Sequence, residues 1–401
     1  MSSSSNPYLR IIKHLDNLVK SRFIEMFTEV IKSGKPVSIG SISELCTVGI
    51  ANSATHAYRE SGVVMLRNQN IKENCLDDSD LVYIDESFAS KYSSKKLKEN
   101  DIIIMRTGYA GQACLVPKKY EGSQTFTTLI LRLKENADVT PFFVCRYINS
   151  IYGKKYVNTG KVGSSQENFG AKVLEKMPIV VPPKHLQLSF ESFCQQVDKS
   201  KVIAQKAAEK YEILVKSRFI EMFDNEKWPV KTMESLILPG FGLPYGIVQP
   251  GDEYEHGVPI IRPVDVLNGS ADINELKHTD PSISAAYKRT ILTGNEVLIT
   301  VRATIGRTMV TDERYAGMNV TRGIAVIRQD SNQINPYYLN AFLNSTKAQD
   351  YIQRNAKGAT LKGLNLDLLR KMNVTVPPMD EQKKFVEFTK QVDKSKIIDV
   401  E

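Results

Sequence analysis

Cysteine is scarce and unevenly placed: Cys46, Cys75, Cys114, Cys145 and Cys194 all fall in the first half of the chain, and none forms a Cys-x-x-Cys pair. An odd, scattered set gives neither a disulfide framework nor a zinc-ligand spacing, so reduced, buried thiols are expected. His14, His56, His185, His256 and His278 are equally dispersed and read as surface or packing residues. No apolar run approaches the ~20 residues of a membrane span. The opening MSSSSNPYLR has neither a basic n-region nor an apolar h-region, which makes the cytoplasm the expected location.

Catalytic signatures are missing as well. There is no GxxxxGK[ST] phosphate loop, no GxSxG nucleophile elbow and no PD…(D/E)xK nuclease pattern. A self-sufficient DNA methyltransferase needs a glycine-rich cofactor loop and an Asn/Asp-Pro-Pro-aromatic loop. The nearest text, Asn6-Pro7-Tyr8, lacks the second proline. A non-catalytic chain is the expectation.

What is present is a duplication. LVKSRFIEMF occurs at 18–27 and again at 214–223, and QVDKSK at 196–201 and again at 391–396. Between these anchors Gly62 aligns with Gly257, Arg67 with Arg262, Asp101 with Glu296, Gly111 with Gly306 and Pro141 with Pro336. Asn149-Ser150 aligns with Asn344-Ser345, Tyr156 with Tyr351 and Pro182-Pro183 with Pro377-Pro378, at a constant offset of 195 (62 to 257). A solenoid repeats every ~20–50 residues, so this is a duplicated domain. The length of 401 residues suits two domains, each large enough for its own core. A net charge of +8 and a pI near 9.0 favour a polyanionic partner, though only weakly by themselves.

Residues 184–223 read as one helix. Leu186, Phe190, Phe193, Val197, Ser200, Ala204, Ala207, Tyr211 and Leu214 follow steps of four and three, a coiled-coil seam. At 1.5 Å per residue the rod is roughly 60 Å long. Its second copy is split between 379–401, where Phe385, Phe388 and Val392 match Phe190, Phe193 and Val197, and the N-terminal 7–27. There Tyr8, Ile11, Leu15 and Leu18 match Ala204, Ala207, Tyr211 and Leu214. The inference is a circularly permuted pseudo-dimer: one unbroken rod and one built from both termini, lying antiparallel, with a globular domain at each end. The domains are 1–27 (half of the second spacer helix), 28–183 (first globular domain), 184–223 (central spacer helix), 224–378 (second globular domain) and 379–401 (other half of the second spacer helix).

The globular parts are mixed. Strands are expected at 62–66, 101–105 and 127–133, and at 258–261, 296–300 and 324–327; short helices are expected at 141–151 and 336–351. The fold class is α+β, with two pseudo-two-fold related domains.

With these residues in view, the chain resembles the DNA-specificity (HsdS-type) subunit of type I restriction–modification enzymes. The resemblance is carried by Asp101-Ile-Ile-Ile-Met-Arg-Thr-Gly-Tyr-Ala-Gly111 and its second copy, Glu296-Val-Leu-Ile-Thr-Val-Arg-Ala-Thr-Ile-Gly306. It is carried equally by the runs from Gly163-Ser-Ser-Gln166 to Pro182-Pro183 and from Gly358-Ala-Thr-Leu361 to Pro377-Pro378. The resemblance implies two target recognition domains, each reading half of a split double-stranded DNA sequence, with two antiparallel helices setting the gap. It further implies two methyltransferase subunits, which hold S-adenosylmethionine, and restriction subunits, which use ATP and Mg. This chain itself would bind no cofactor and no metal, and would have no catalytic residue.

Base reading needs directional donors and acceptors on loops that enter a groove. The candidates in the first domain are Arg106, Thr107, Tyr109, Lys161, Ser164, Ser165, Gln166 and Asn168; in the second they are Arg302, Thr304, Arg307, Lys357, Thr360 and Lys362. The plainer role for each is a solvated or turn-stabilising side chain. Lys118-Lys119 and Lys154-Lys155 read as solvated or phosphate-facing, and Lys216, Arg218 and Glu221, with their repeats Lys20, Arg22 and Glu25, as a face for partner subunits. The recognition segments differ (Gly163-Ser-Ser-Gln-Glu-Asn168 against Gly358-Ala-Thr-Leu-Lys-Gly363), so an asymmetric target is expected. Other readings are the specificity subunit of a methylation-only or type II-like system, an unrecognised methyltransferase or nuclease, and a protein-binding scaffold.

Overall fold

The computed structural model describes residues 7–51, 54–159, 169–225, 227–357 and 363–395. Helices and sheets are mixed throughout, an α+β fold. The chain divides into two compact units: an N-terminal unit, residues 15–200, and a C-terminal unit, residues 1–14 with 201–401.

In the N-terminal unit the apolar run Ile102–Ile104 is the middle of a four-stranded sheet. It pairs antiparallel with Ala113–Leu115 on one side and with Leu129–Leu133 on the other, and Leu129–Leu133 also pairs with Ser43–Val48. Ile102, Ile103 and Ile104 are all fully buried, as a strand covered on both faces requires. A second sheet pairs Gln124–Thr125 in parallel with Met65–Leu66. Helix Pro141–Asn149 lies against the strand Ala113–Leu115 and packs with helix Ile151–Thr159.

The C-terminal unit repeats this plan. Val297–Thr300 is flanked antiparallel by Thr308–Val310 and Ile324–Ile327, and Asn319–Val320 pairs in parallel with Ile260–Ile261. Helices Pro336–Leu343 and Thr346–Asn355 follow. In both units the stretch expected to form one helix is broken at the Asn-Ser pair. The Ser150 hydroxyl accepts from the Gly153 N–H (3.4 Å) and that of Ser345 from Ala348 (3.4 Å), so each serine caps the second helix; the first ends at Ser150 in one unit and at Asn344 in the other.

Each unit is pinned to its helices by an aromatic cluster. In the N-terminal unit Phe23 and Phe27, from the helix Pro7–Ser33, meet Phe143 and Phe190; Phe27 and Phe190 cross edge-on at 5.4 Å. In the C-terminal unit Phe219 and Phe223 meet Tyr338 and Phe385, with Phe223 and Phe385 at 5.6 Å. Burying each ring contributes ~1.5–3 kcal/mol. Gln187 and Gln382 repeat one another as clamps: the first accepts from the Thr140 N–H and donates to the Asp138 and Pro182 carbonyls. The second accepts from Asn335 and donates to Gln333 and Pro377.

One feature of the two cores has shifted. The Tyr147 hydroxyl donates to the Pro178 carbonyl (2.9 Å), whereas in the second copy Tyr338 donates to the Thr375 carbonyl (2.8 Å). By the repeat, Tyr147 aligns with Phe342 and Tyr338 with Phe143. The hydroxyl has moved one helical turn, ~5.4 Å, and its target two strand residues, ~6.6 Å, so both still meet.

Three expectations need correction. The helix Lys184–Phe223 is continuous, but its buried line is Gln187, Phe190, Cys194, Val197, Ala204, Ala208 and Tyr211, with Ser200 and Leu214 exposed. The positions at 190, 197, 204 and 211 hold; those between them fall one residue later than the seam read from sequence. Bulk misled that reading: Phe193 sits half-buried beneath the Arg22 guanidinium (5.8 Å), and the smaller Cys194 takes the interior. The same shift recurs in the first helix, where Val19 is buried and Leu18 is not. That helix also runs past the expected boundary at 27, to Ser33, because Gly34 is the first breaker; a Cβ there would lie 2.4 Å from Val180. Finally, Cys114, Cys145 and Cys194 are buried, but Cys46 is only partly so and Cys75 is exposed on a two-residue strand. Burial pushes the Cys46 and Cys145 thiols up to about 12.

Candidate nucleic-acid interface

The central strand of each unit ends in a tight loop of the same construction. In the N-terminal unit Met105 N–H donates to the Gln112 carbonyl (2.9 Å) and Gly111 N–H to the Met105 carbonyl (2.8 Å). In the C-terminal unit Thr300 N–H donates to Arg307 (2.8 Å) and Gly306 N–H to Thr300 (2.9 Å). Gly111 and Gly306 have φ of +88° and +90°. A Cβ on Gly111 would lie 2.7 Å from Val157, and one on Gly306 2.8 Å from Gln349 Oε1, so both loops press on the helix behind them.

A second segment is tied to each loop. Phe169 N–H donates to the Arg106 carbonyl (2.9 Å), and Leu364 N–H to the Val301 carbonyl (2.9 Å). Arg302 also forms an isolated antiparallel bridge with Gly363, and Ala356–Lys357 pairs with Gly363–Leu364. The two candidate segments of each domain, far apart in sequence, are thus joined at their bases by the same bond.

Around the first loop Tyr109 is 80% exposed. The Thr107 hydroxyl accepts from Asn68 Nδ2 (3.1 Å). Arg106 is half-buried, and its Nε has no hydrogen-bond partner among the described residues. Around the second loop Arg302 and Arg307 are exposed; Arg307 Nη1 reaches the Val266 carbonyl (3.3 Å) and the Thr304 hydroxyl the Pro263 carbonyl (3.0 Å). Lys161, Ser164, Ser165, Gln166, Asn168, Thr360 and Lys362 lie outside the described residues, and Lys357 enters only through its backbone pairing.

The sequence reading missed Asn68, which orients Thr107, and Arg322, whose side chain is exposed and whose backbone N–H donates to the Ile247 carbonyl (2.8 Å). The signal for Arg322 was available: a cation before glycine at the turn into Ile324–Ile327, and Gly323 is required there because a Cβ would lie 2.4 Å from Pro263. The lysines expected to be solvated are largely engaged by carboxylates: Lys118 by Glu121, Lys119 by Asp78, and Lys154 by Glu73 (2.7 Å). On the helices Arg22 pairs with Glu25 and Arg218 with Glu221, each at 2.8 Å, and each guanidinium covers a phenyl ring, Phe193 or Phe388.

At the start of each central strand, the end away from the loop, a buried carboxylate holds the sheet. Asp101 accepts a two-pronged bond from Arg132 (2.8 and 2.7 Å). Its counterpart Glu296 lies near Arg328 (3.4 Å) and accepts from Thr293 (2.7 Å) and Thr311 (2.6 Å). Burial alone would raise the Glu296 pKa, but the bonds from Thr311 and Thr293 outweigh it and hold it below the ordinary carboxylate value.

Two α+β units built on one plan, each with the same pair of joined segments, define a duplicated-domain protein, and its family follows from the sequence. Residues 28–213 and 250–400 match the type I restriction modification DNA specificity domain family (Methylase_S), and the chain belongs to that family. It is 31% identical over 167 residues to the type I restriction enzyme EcoBI specificity subunit of Escherichia coli. That match spans 42% of this chain and 35% of the relative. It is 19% identical over 355 residues to the putative type I restriction enzyme MjaX specificity subunit of Methanocaldococcus jannaschii, covering 83% of this chain and 80% of that protein. Among solved structures, the type I restriction-modification S subunit from M. genitalium aligns over 91% of this chain and 90% of its own, with 12% identity and a TM-score of 0.46. The HsdS subunit from Thermoanaerobacter tengcongensis aligns over 91% and 90%, with 16% identity and a TM-score of 0.35. The family assignment rests on the sequence match.

No helix among the described residues is long and apolar enough to cross a membrane.

Proposed function

We propose that the chain is the non-catalytic DNA-recognition subunit of a type I restriction–modification enzyme, reading an asymmetric, two-part double-stranded target with one half-site per unit. In this reading it scaffolds two methyltransferase subunits, which carry S-adenosylmethionine to adenine N6, and restriction subunits, which supply ATP- and Mg-dependent cleavage in the cytoplasm. The supporting observation is the repeated loop pair. The backbone bonds Gly111–Met105 and Phe169–Arg106 recur as Gly306–Thr300 and Leu364–Val301, while the side chains they display differ. A fixed frame with variable donors is what reading two unlike half-sites requires.

The test is methylome sequencing of a host that expresses the chain with its methyltransferase subunit. The expected motif is interrupted, with two unlike halves. Arg302→Ala with Arg307→Ala should relax one half only and Arg106→Ala the other, each lost base contact costing ~1–3 kcal/mol of discrimination. A palindromic motif, or both halves relaxing together, counts against the reading. The purified chain with labelled S-adenosylmethionine and DNA should show no methyl transfer until the methyltransferase subunit is added.

A further inference from the structure

The C-terminal unit holds a cleft of about 620 Å³ that the recognition loops do not occupy. Its walls come from three stretches: Leu243–Tyr245, the turn Ala285–Thr290, and the start of the short helix Leu366–Arg370. Lys288 and Arg289 are exposed on the turn, Arg370 stands on the opposite wall, and Tyr245, Tyr287 and Asn365 complete the lining. The single carboxylate is Asp367, and it already pairs with Arg370. Arg289 donates to the Phe241 carbonyl, and Arg370 to that of Leu243 (3.4 Å). No carboxylate among the described residues pairs with Lys288 or Arg289.

We infer that this cleft is a sequence-independent contact for DNA phosphates flanking the half-site read by the C-terminal unit. The inference rests on the recognition role proposed above. Two observations carry it further than charge alone. First, Asn365 follows directly on Gly363–Leu364, the strand that bonds Val301 and bridges Arg302, so the cleft opens beside the root of both reading segments. Second, the equivalent turn of the N-terminal unit is also basic, but at other positions. Ser93 and Ser94 stand where the C-terminal unit has Lys288 and Arg289, and Lys91 and Lys96 where it has Ala286 and Ile291. Lys95 aligns with Thr290 and donates to the Gly49 carbonyl (2.9 Å). A turn that keeps its charge while moving it suits an extended polyanion, where a donor matters more than its place. The copies differ on the second wall, where Glu175 aligns with Arg370.

The experiment uses the full chain assembled with its methyltransferase subunit, titrated against a duplex carrying the methylome-defined target and against one with a changed half-site. Salt is varied between about 50 and 200 mM. The expected result for Lys288→Ala with Arg289→Ala is a salt slope lower by about two, roughly one for each cation removed, with both duplexes weakened alike and the methylated motif unchanged. Because Arg289 also holds the Phe241 carbonyl, Lys288→Ala alone should lower the slope by about one, and Arg289→Lys should leave it unchanged. An unaltered slope in the Lys288 variants overturns the inference, as does a changed motif. Loss of co-purification with the methyltransferase subunit, with DNA binding intact, also overturns it and identifies the cleft as a protein contact. If the unsubstituted complex shows no salt-dependent DNA binding, the recognition role itself falls.

Discussion

The two loops that follow the central strands share one scaffold and differ at one strained position. Gly108 of the first and Ala303 of the second align, and both adopt left-handed backbone, with φ of +72° and +59°. Glycine takes that conformation freely, whereas alanine pays ~1–2 kcal/mol. The second loop tolerates the strain because it is tied more densely: Thr300 bonds Thr304, Thr304 bonds Pro263 and Arg307 bonds Val266, while around the first loop Thr107 is held by Asn68. The frame is therefore fixed by main-chain bonds common to both copies, and the side chains above it are free to diverge.

The widest test of this equivalence lies in the aromatic clusters. Phe27→Ala and Phe223→Ala should each lose ~3–5 kcal/mol by denaturant unfolding, since both rings are buried in equivalent cages. A loss below ~1 kcal/mol at either ring would show the cages to be unequal. The glycines behind the loops sharpen the comparison. Gly111→Ala drives a methyl into the branched Val157 and should cost ~1–3 kcal/mol beyond the ~1–2 kcal/mol of left-handed alanine that both positions share. Gly306→Ala meets mainly the movable end of Gln349 and should cost less, close to the ~1–2 kcal/mol of left-handed alanine. Equal losses would refute the difference in backing. The smallest effect concerns pH. Glu296 titrates below its ordinary value of 4.5, so its stabilising contribution is complete above that pH and vanishes as pH falls through the lowered value. Glu296→Gln should flatten the acid limb of the stability curve; an unchanged limb would exclude Glu296 as its source.

Much of this was legible in the amino-acid order. The offset of 195 located framework pairs that recur in role, including Gly111 with Gly306 and Tyr156 with Tyr351, whose hydroxyls bond the Val173 and Leu368 carbonyls, though the Gln187 and Gln382 clamps, at the same offset, did not stand out. The helix Lys184–Phe223 could be read because no glycine or proline interrupts it. Its buried line could not be read to the residue, because periodicity near 3.5 leaves neighbours such as Phe193 and Cys194 in competition and only packing decides between them. For the site, glycine spacing pointed to the loops, but not to Asn68 or Arg322, which come to them from other strands' turns. Nor did the basic turn at Lys288-Arg289 stand out, since a pair of cations in a loop carries no spacing signal.

The displaced hydroxyls of Tyr147 and Tyr338 bear on how such chains can exchange parts. A hybrid that joins Phe143 of one helix to Phe342 of the other would carry no phenol at all, leaving the strand carbonyl unserved; the reverse junction would crowd two phenols against one strand. The expected outcome is that crossovers between copies are tolerated at the helix ends and penalised inside that one turn, which the unfolding midpoints of the two hybrids would check.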